Sequence, residues 1–501
     1  MSRSAHNRTG IKRKSSESPN AGDLKARTLK KKTIENIEDN EEYYTPTLLD
    51  YKFFNDSVHG HMKFHPVCVA IIDTPQFQRL RNIKQLSTSY LVYPGACHNR
   101  FEHSLGVSYL AGCMVDALRN NKNTPNLEIT DTEKLSVEVA GLCHDLGHGP
   151  WSHTWERFVR RFETNDSWKH EQGSEEMLDY LIKDNGLEPL LVQYGLDLEL
   201  IKELIRGGGT RLSTAKSYLY QIVANKTNDI DVDKWDYFLR DGHQLNLKIT
   251  FDYRRLLAFC GVIVGRKGPQ IAFRNKEALS IFDMFRVRAD LHLRAYQHAA
   301  VKNTEILLVD ALVAANDFYI VEAEKDGKME KYKLSECHKN VKAMVQIDDG
   351  ILTVIQYSKD FRLKPAQDLI KRLMKRDLYT LLGKLKFDKK KEEIAYYQKS
   401  LNDHFNRDDI IIDLLEINMG STGNPLPNIV FYKKPGVGGQ LEEDKINWNT
   451  DVSAFPFDIS KATSQKFVRV FCKTKVSEGE QKEIIEKLNE FLASGVVRLF
   501  D

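Results

Sequence analysis

The fold class that this 501-residue sequence predicts is a mainly α-helical core followed by a smaller α+β lobe. Three observations carry it. Apolar residues recur at helical spacing through most of residues 50–319, interrupted by loops at 120–126 and 207–214. Short β-like runs begin only after residue 260, at 262–264, 270–273, 410–414, 429–432 and 467–471. A chain of this length can bury a large core and divide into lobes. The expected organisation is a disordered basic tail at 1–44, a helical core at 45–387 and an α+β lobe at 388–501, with no internal repeat.

The tail carries Lys12-Arg13-Lys14, Lys25, Arg27 and Lys30-Lys31-Lys32 among Ser, Asn and Gly, and ends in the acidic run Glu35, Glu38, Asp39, Glu41 and Glu42. Such a composition cannot bury enough apolar surface to fold. It reads equally as a nuclear-localisation signal or nucleic-acid tether and as a solubilising segment. The first reading makes the protein nuclear, with the cytoplasm left open. Net charge is only +3, which excludes a polycation coating DNA with its whole surface. Seven cysteines without a Cys-x-x-Cys argue against a disulfide framework and a structural zinc. The longest apolar run, at 306–315, is interrupted by Asp310 and too short to span a bilayer, so no membrane partner is expected.

The helices can be justified in order. One holds His103 beside the apolar stripe Phe101, Leu105, Leu110, Met114 and Leu118. In the next, Thr130 and Glu133 have capping-box spacing, Leu135, Val139, Leu142 and Leu146 repeat at helical intervals, and Gly147, Gly149 and Pro150 stop the pattern. His144 and Asp145 therefore project from a terminal turn. The run Gly207-Gly208-Gly209 lacks the Lys-Ser/Thr of a P-loop and reads as a loop. Asp233, Tyr237 and Asp241 share one face of a third helix. A helix at 277–299 places Arg288, His292 and Tyr296 on one face, with about 12 Å between the first and the last at 1.5 Å per residue. That span suits a nucleotide, with phosphate at one end and sugar and base at the other.

His103, His144, Asp145 and Asp233 offer two imidazoles and two carboxylates, a donor set for a divalent ion such as Fe, Mn or Zn with positions left for water and a phosphate oxygen. Arg100, one turn before His103, can hold phosphate oxygens bidentately. His148, His153 and His170 follow the His-Asp pair. Any one of them alone is ordinarily a satisfied side chain; three together weigh against that reading.

These strings resemble the HD superfamily of metal-dependent phosphohydrolases. Residues 75–81 (PQFQRLR), 98–106 (HNRFEHSLG), 141–150 (GLCHDLGHGP) and 231–237 (DVDKWDY) resemble more narrowly the animal SAM-and-HD-domain deoxynucleoside triphosphate triphosphohydrolases. The resemblance runs from about Lys52 to the C-terminus, is dense to about Ala315 and thin beyond. The SAM domain is expected to be absent, because few residues precede Tyr51. The resemblance implies hydrolysis of a dNTP to a deoxynucleoside and inorganic triphosphate, with Mg accompanying the nucleotide phosphates. It assigns Arg100, His148, Lys234, Tyr237, Asp241 and Arg288 to the triphosphate, and Gln85, Leu86, Tyr296 and Gln297 to the sugar and base. His153 is the implied proton donor to the leaving 5′ oxygen, tuned by His170 and Glu156, where the family has Asp. It further implies a homotetramer activated by GTP and dNTP through the 388–501 lobe and paired allosteric sites. Lys52, Asn55, Asp73, Gln78 and Arg81 match the guanine-nucleotide site. Val92, Phe101, Arg255, Arg274, Lys276, Arg294 and His298 match the adjoining dNTP site, with Lys473 from the lobe. Phe53 replaces a Val, Ser280 an Asn and Ala299 a phosphate-contacting Lys. Two other readings stay open: another HD nucleotide phosphohydrolase, or a nuclear protein binding single-stranded nucleic acid through its tail and Lys-rich stretches such as 384–391.

Overall fold

The computed structural model describes residues 50–121, 124, 127–163, 168–265, 268–418, 420, 424–435, 439–446 and 464–494. The expected basic tail lies outside them. Strands β1 (Lys52–Asp56) and β2 (Gly60–Phe64) form an antiparallel hairpin, its turn closed by Gly60 at φ 75°. Short helices α1 (Pro66–Ile72) and α2 (Pro75–Gln78) follow, each with Pro in its first turn and a side-chain cap, His65 and Thr74 respectively.

The core is then built from α3 (Arg100–Arg119), α4 (Asp131–Cys143), α5 (His153–Val159), α6 (His170–Asp184), α7 (Glu188–Gln193), α8 (Leu198–Arg206), α9 (Val232–Gln244) and α10 (Tyr253–Ala258). Reciprocal bonds between Thr130 and Glu133, at 2.8 and 3.1 Å, start α4 as the spacing predicts. It ends at Cys143, a turn earlier than the apolar repeat suggested, and leaves His144 as its C-cap. The stripes Phe101, Leu105, Leu110, Met114 and Leu118 on α3 and Leu135, Val139 and Leu142 on α4 are all buried in one apolar core.

The helix expected over 277–299 is divided. Helix α11 (Ala278–Leu291) passes into a π-turn (His292–Tyr296), and α12 (Ala299–Ala315) begins afresh under a His298 cap. The Gln297 amide bonds the His292 carbonyl at 2.8 Å, five residues back, so the chain widens just where Tyr296 turns to a partner on α9. Helices α13 (Val341–Met344), α14 (Ile351–Tyr357) and α15 (Lys364–Met374) complete the core; α16 (Ile394–His404) and α17 (Glu478–Ser494) belong to the C-terminal lobe.

Four of the five β-like runs fall within strands, β3 (Cys260–Gly265), β4 (Gly268–Arg274), β8 (Ile410–Asn418) and β11 (Ser464–Cys472), and the run at 429–432 starts one residue before β9 (Val430–Tyr432). The core is not wholly helical, since it also contains β1–β2 and a second hairpin, β5 (Ile320–Lys325) with β6 (Lys328–Lys333). Two segments cross the expected boundary at 388. Strand β7 (Thr380–Lys386) lies before it yet joins the lobe sheet β7-β11-β8, while β9 lies after it yet pairs in parallel with β4 in the sheet β10 (Glu443–Asp444)-β9-β4-β3. The lobe has its own apolar core, including Leu382, Leu401, Ile412, Val470 and Leu488. No helix among the described residues is long and apolar enough to cross a membrane, and all seven cysteines are free.

Candidate active site

Four side chains from three helices converge. His103 sits in the first turn of α3, His144 caps α4 with Asp145 beside it, and Asp233 lies in the first turn of α9. His103 Nε2 is 3.1 Å from Asp233 Oδ1 and 3.5 Å from Asp145 Oδ2. His144 Nε2 is 3.5 Å from an oxygen of each carboxylate. The opposite ring nitrogens are engaged, His103 Nδ1 with Asp236 Oδ2 at 2.7 Å and His144 Nδ1 with the Gly141 carbonyl at 2.8 Å. Donation from Nδ1 leaves a bare lone pair on each Nε2, and both Nε2 atoms are buried without a hydrogen-bond partner. Against the downward push of burial, the nearby carboxylates of Asp233, Asp236 and Asp145 raise the His103 imidazole to about 10, so the site favours positive charge at this point. Two unpartnered nitrogens facing two carboxylates fit a divalent cation.

His144, Asp145 and Asp233 line a cavity of about 650 Å³, together with Gln85, Leu86, Arg100, His148, His153, His170, Lys234, Tyr237, Asp241, Arg288, Tyr296 and Gln297. His103 and Glu156 are buried beside it. Glu156 Oε1 links His170 Nδ1 at 2.8 Å to His153 Nδ1 at 3.2 Å, and Oε2 accepts from Arg160 at 3.1 Å. Burial would raise this carboxyl, but the two imidazoles hold it well below the usual carboxylate range. His148 stacks on His170 with ring centroids 4.0 Å apart. Burial and the Arg100 charge keep His148 far below its ordinary pKa, hence neutral. The His153 ring is 67 % exposed because it opens onto the cavity; the surrounding protein lowers its pKa, and cavity water screens part of that effect.

The cationic side chains are already anchored. Arg100 bonds Asp145 Oδ2 at 2.7 Å and Ser152 Oγ at 2.9 Å, and Lys234 bonds Asp231 at 2.8 Å. Arg288 bonds the Asn418 carbonyl at 2.7 Å while its buried Nε has no partner. Asp241 lines the same cavity. Its oxygens accept from His98 Nε2 at 2.6 Å and from the Tyr296 hydroxyl at 2.5 Å. A carboxylate so placed fixes the orientation of the Tyr296 ring.

The residues matched to regulatory sites fall into local groups. Lys52 Nζ lies 3.6 Å from Asp73, both partly exposed, and Asn55 stands opposite His61 in the hairpin. Arg81 stacks 3.5 Å over Phe101 and donates to Gln78 at 2.6 Å. Arg255, Arg274 and Lys276 gather on the Phe259 ring at 5.5, 5.6 and 3.7 Å, and Arg255 pairs with the buried Glu277. Val92 caps a 3₁₀ turn, and nearby Tyr93 bonds the Arg294 carbonyl and lies 5.9 Å from the His298 ring. Lys473 pairs with Asp310 at 2.7 Å.

Comparison with known proteins agrees with this geometry. The HD domain family matches residues 100–241, the span that supplies all four convergent side chains. The chain is 41 % identical over 455 residues to the Gallus gallus protein named deoxynucleoside triphosphate triphosphohydrolase SAMHD1, covering 84 % of this chain and 72 % of that protein. The chain belongs to the SAMHD1 family. The Homo sapiens member is 39 % identical over 452 residues, covering 84 % and 70 % of the two chains, and the Dictyostelium discoideum homolog is 34 % identical over 420 residues, covering 82 % and 77 %.

Several side chains that shape this SAMHD1-family site escaped the sequence reading. Asp236 orients His103 from behind. Asp349, half-buried between α13 and α14, accepts the Lys84 amide at 2.9 Å and the Trp151 amide at 2.7 Å, tying the Gln85–Leu86 loop to the turn before His153. Ser152 Oγ reinforces the link by donating to the Lys84 carbonyl at 2.7 Å. Arg469 of β11 donates to the Gln297 carbonyl at 2.6 Å and pairs with Asp413. Only Asp236 had a local signal, being one turn after Asp233 on the same helix.

Proposed function

We propose that this chain hydrolyses deoxynucleoside triphosphates to a deoxynucleoside and inorganic triphosphate. The carrying observation is the pair of buried, unpartnered Nε2 atoms of His103 and His144 set against Asp145 and Asp233 at the wall of a cation-rich cavity. His103, His144, Asp145 and Asp233 would hold a divalent transition ion there, Fe, Zn or Mn, which would supply Lewis acidity toward phosphate oxygens and water.

The chain's own residues do the rest. Arg100, Lys234 and Arg288 face the cavity and can balance charge on the phosphates, with Mg as a further counter-ion. Arg100 also clamps Asp145, so a phosphate held by its guanidinium is registered against the metal carboxylate. His153 has Nδ1 at Glu156, which leaves Nε2 to carry a proton to the leaving 5′ oxygen. Glu156 partly offsets the downward push of burial on the His153 pKa and holds the ring with Nε2 toward the cavity. Leu86 and the hydrogen-bonded Tyr296 ring can close on the C2′ side of the sugar; an apolar wall rejects an added hydroxyl by about 10².

We infer also that GTP and dNTP activate the chain by driving a homotetramer, through the Lys52–Asp73 and Phe259-centred groups, with the C-terminal lobe assisting. A carboxylate such as Asp73 can accept from guanine N1 and N2. Ala299 removes one phosphate cation, so the second site should need more dNTP. Nuclear localisation and single-stranded nucleic-acid binding by the basic tail remain part of the proposal.

Anion-exchange analysis of products from each dNTP, with and without GTP, tests the reaction. Inorganic triphosphate with deoxynucleoside is the expected pair. Monophosphate with pyrophosphate, or release of orthophosphate alone, would overturn it.

A further inference from the structure

Behind the metal site lies a buried chain of charge. Asp236 is fully buried on α9. Its Oδ2 accepts from His103 Nδ1 at 2.7 Å and Arg240 Nε at 2.8 Å; its Oδ1 accepts from His59 Nε2 at 2.7 Å and Arg240 Nη2 at 2.9 Å. Arg240 extends the chain to Asp56, with contacts of 2.8 and 3.2 Å. Asp56 in turn accepts the amides of Val58 and His59, both at 2.9 Å, and so shapes the turn joining β1 to β2. There is no slack at the centre. A methyl on Gly106 would stand 1.8 Å from Asp236 Oδ1 and 2.7 Å from Arg240 Nη2, so α3 presses its bare backbone against the pair.

We propose that Asp56, His59, Arg240 and Asp236 are positioning residues through which the β1–β2 hairpin sets the orientation of the His103 imidazole, so that a nucleotide seated on that hairpin acts on the metal centre. A carboxylate that accepts four bonds has its plane fixed by all four donors, and the His103 ring follows that plane through Nδ1. Two of the four donors come from Arg240, whose remaining contacts are on the hairpin, and a third, His59, is a hairpin residue itself. Lys52 and Asn55 lie on β1 of the same hairpin, Asn55 immediately before Asp56. The regulatory half of the inference rests on the guanine-nucleotide reading of Lys52, Asn55 and Asp73; the positioning half does not.

The test measures metal affinity. Zn²⁺ bound to the full chain is titrated against a chromogenic chelator in the native protein and in Asp56→Asn, His59→Ala and His59→Gln, with the melting temperature of each metal-free protein as a folding control. Asp56→Asn and His59→Ala are expected to weaken Zn²⁺ binding by about 10-fold or more. His59→Gln, which can keep a donor toward Asp236, is expected to recover most of the loss. Native affinity in a folded Asp56→Asn and a folded His59→Ala overturns the positioning role. Saturating GTP is then expected to slow Zn²⁺ transfer to the chelator in the native protein and to lose that effect in Asp56→Asn. GTP binding is measured separately, with Asp73→Ala as control. Bound GTP without any change in Zn²⁺ transfer overturns the coupling, whereas a native protein that binds no GTP overturns the guanine-nucleotide reading and leaves the affinity result to stand for the hairpin.

Discussion

His144→Ala, Asp145→Ala and Asp233→Ala are each expected to abolish hydrolysis and deplete bound metal while the protein stays folded, because each removes one of four donors and leaves the other three misdirected. Metal analysis and circular dichroism read both effects; full activity in a metal-free Asp233→Ala protein would sink the assignment. Gly106→Ala tests the same centre from its packing side. The added methyl meets Asp236 Oδ1 at 1.8 Å, with Arg240 immediately behind, so overpacking of roughly 1–3 kcal/mol is expected, read as a lower denaturation midpoint together with lost metal. The four convergent side chains were legible in the sequence because two lie on helices and His144 caps a third, all with ends or phase that the apolar stripes and caps define. Asp236 follows Asp233 by one turn on one of those helices, but its pairing could not be read: its partners His59 and His103 are 177 and 133 residues away, and no local periodicity records them.

At the scale of elements, the clamp made by Asp349 joins two loops that come from distant parts of the chain. Asp349→Ala frees both the Lys84 and the Trp151 amide, and a shift of about 1 Å between the sugar wall and His153 can lower turnover by about 10²-fold. The expected result is a fall in kcat larger than any rise in KM. Burial pushes the Asp349 carboxyl up to about 7, opposed by the two amides. A carboxyl with a folded pKa above its unfolded value of about 3.9 binds its proton more tightly in the native state. Its contribution is therefore full below about pH 4 and is lost as pH rises through about 7. The difference in melting temperature between the native protein and Asp349→Asn should fall across that window, and a flat difference would place the ionisation elsewhere. The π-turn carries another expectation. Tyr296→Ala should lower the dNTP-to-NTP preference, up to about 10²-fold if the ring supplies the whole exclusion; an unchanged ratio with dNTP turnover intact places the gate elsewhere. Element type was readable where apolar periodicity was strong, as in α3, α4 and the five β-like runs. The π-turn was not, because its cause is the bond from Tyr296 to Asp241, 55 residues away. Hairpin β1–β2 was missed because strand β1 is half exposed and carries no buried alternation.

Across the whole molecule, sedimentation with GTP, dNTP or both is expected to show assembly only when both nucleotides are present, at a higher dNTP requirement than a chain with Lys at position 299; Asp73→Ala should stay dissociated. Assembly and activity indifferent to nucleotide would rule the regulation out. The C-terminal lobe was legible as α+β from its short apolar runs, yet its reach into the pocket was not, since nothing in the sequence around Arg469 marks Gln297 as its partner. That reach has a consequence for how the protein is made. Arg469 follows Gln297 by 172 residues. A ribosome adding about 5–20 residues per second needs roughly 9–34 s to cover that distance. Throughout that interval the nascent chain already contains all four convergent side chains while the backbone at Gln297 still lacks its anchor, so the donors for an ion are made before the nucleotide end of the cavity is finished.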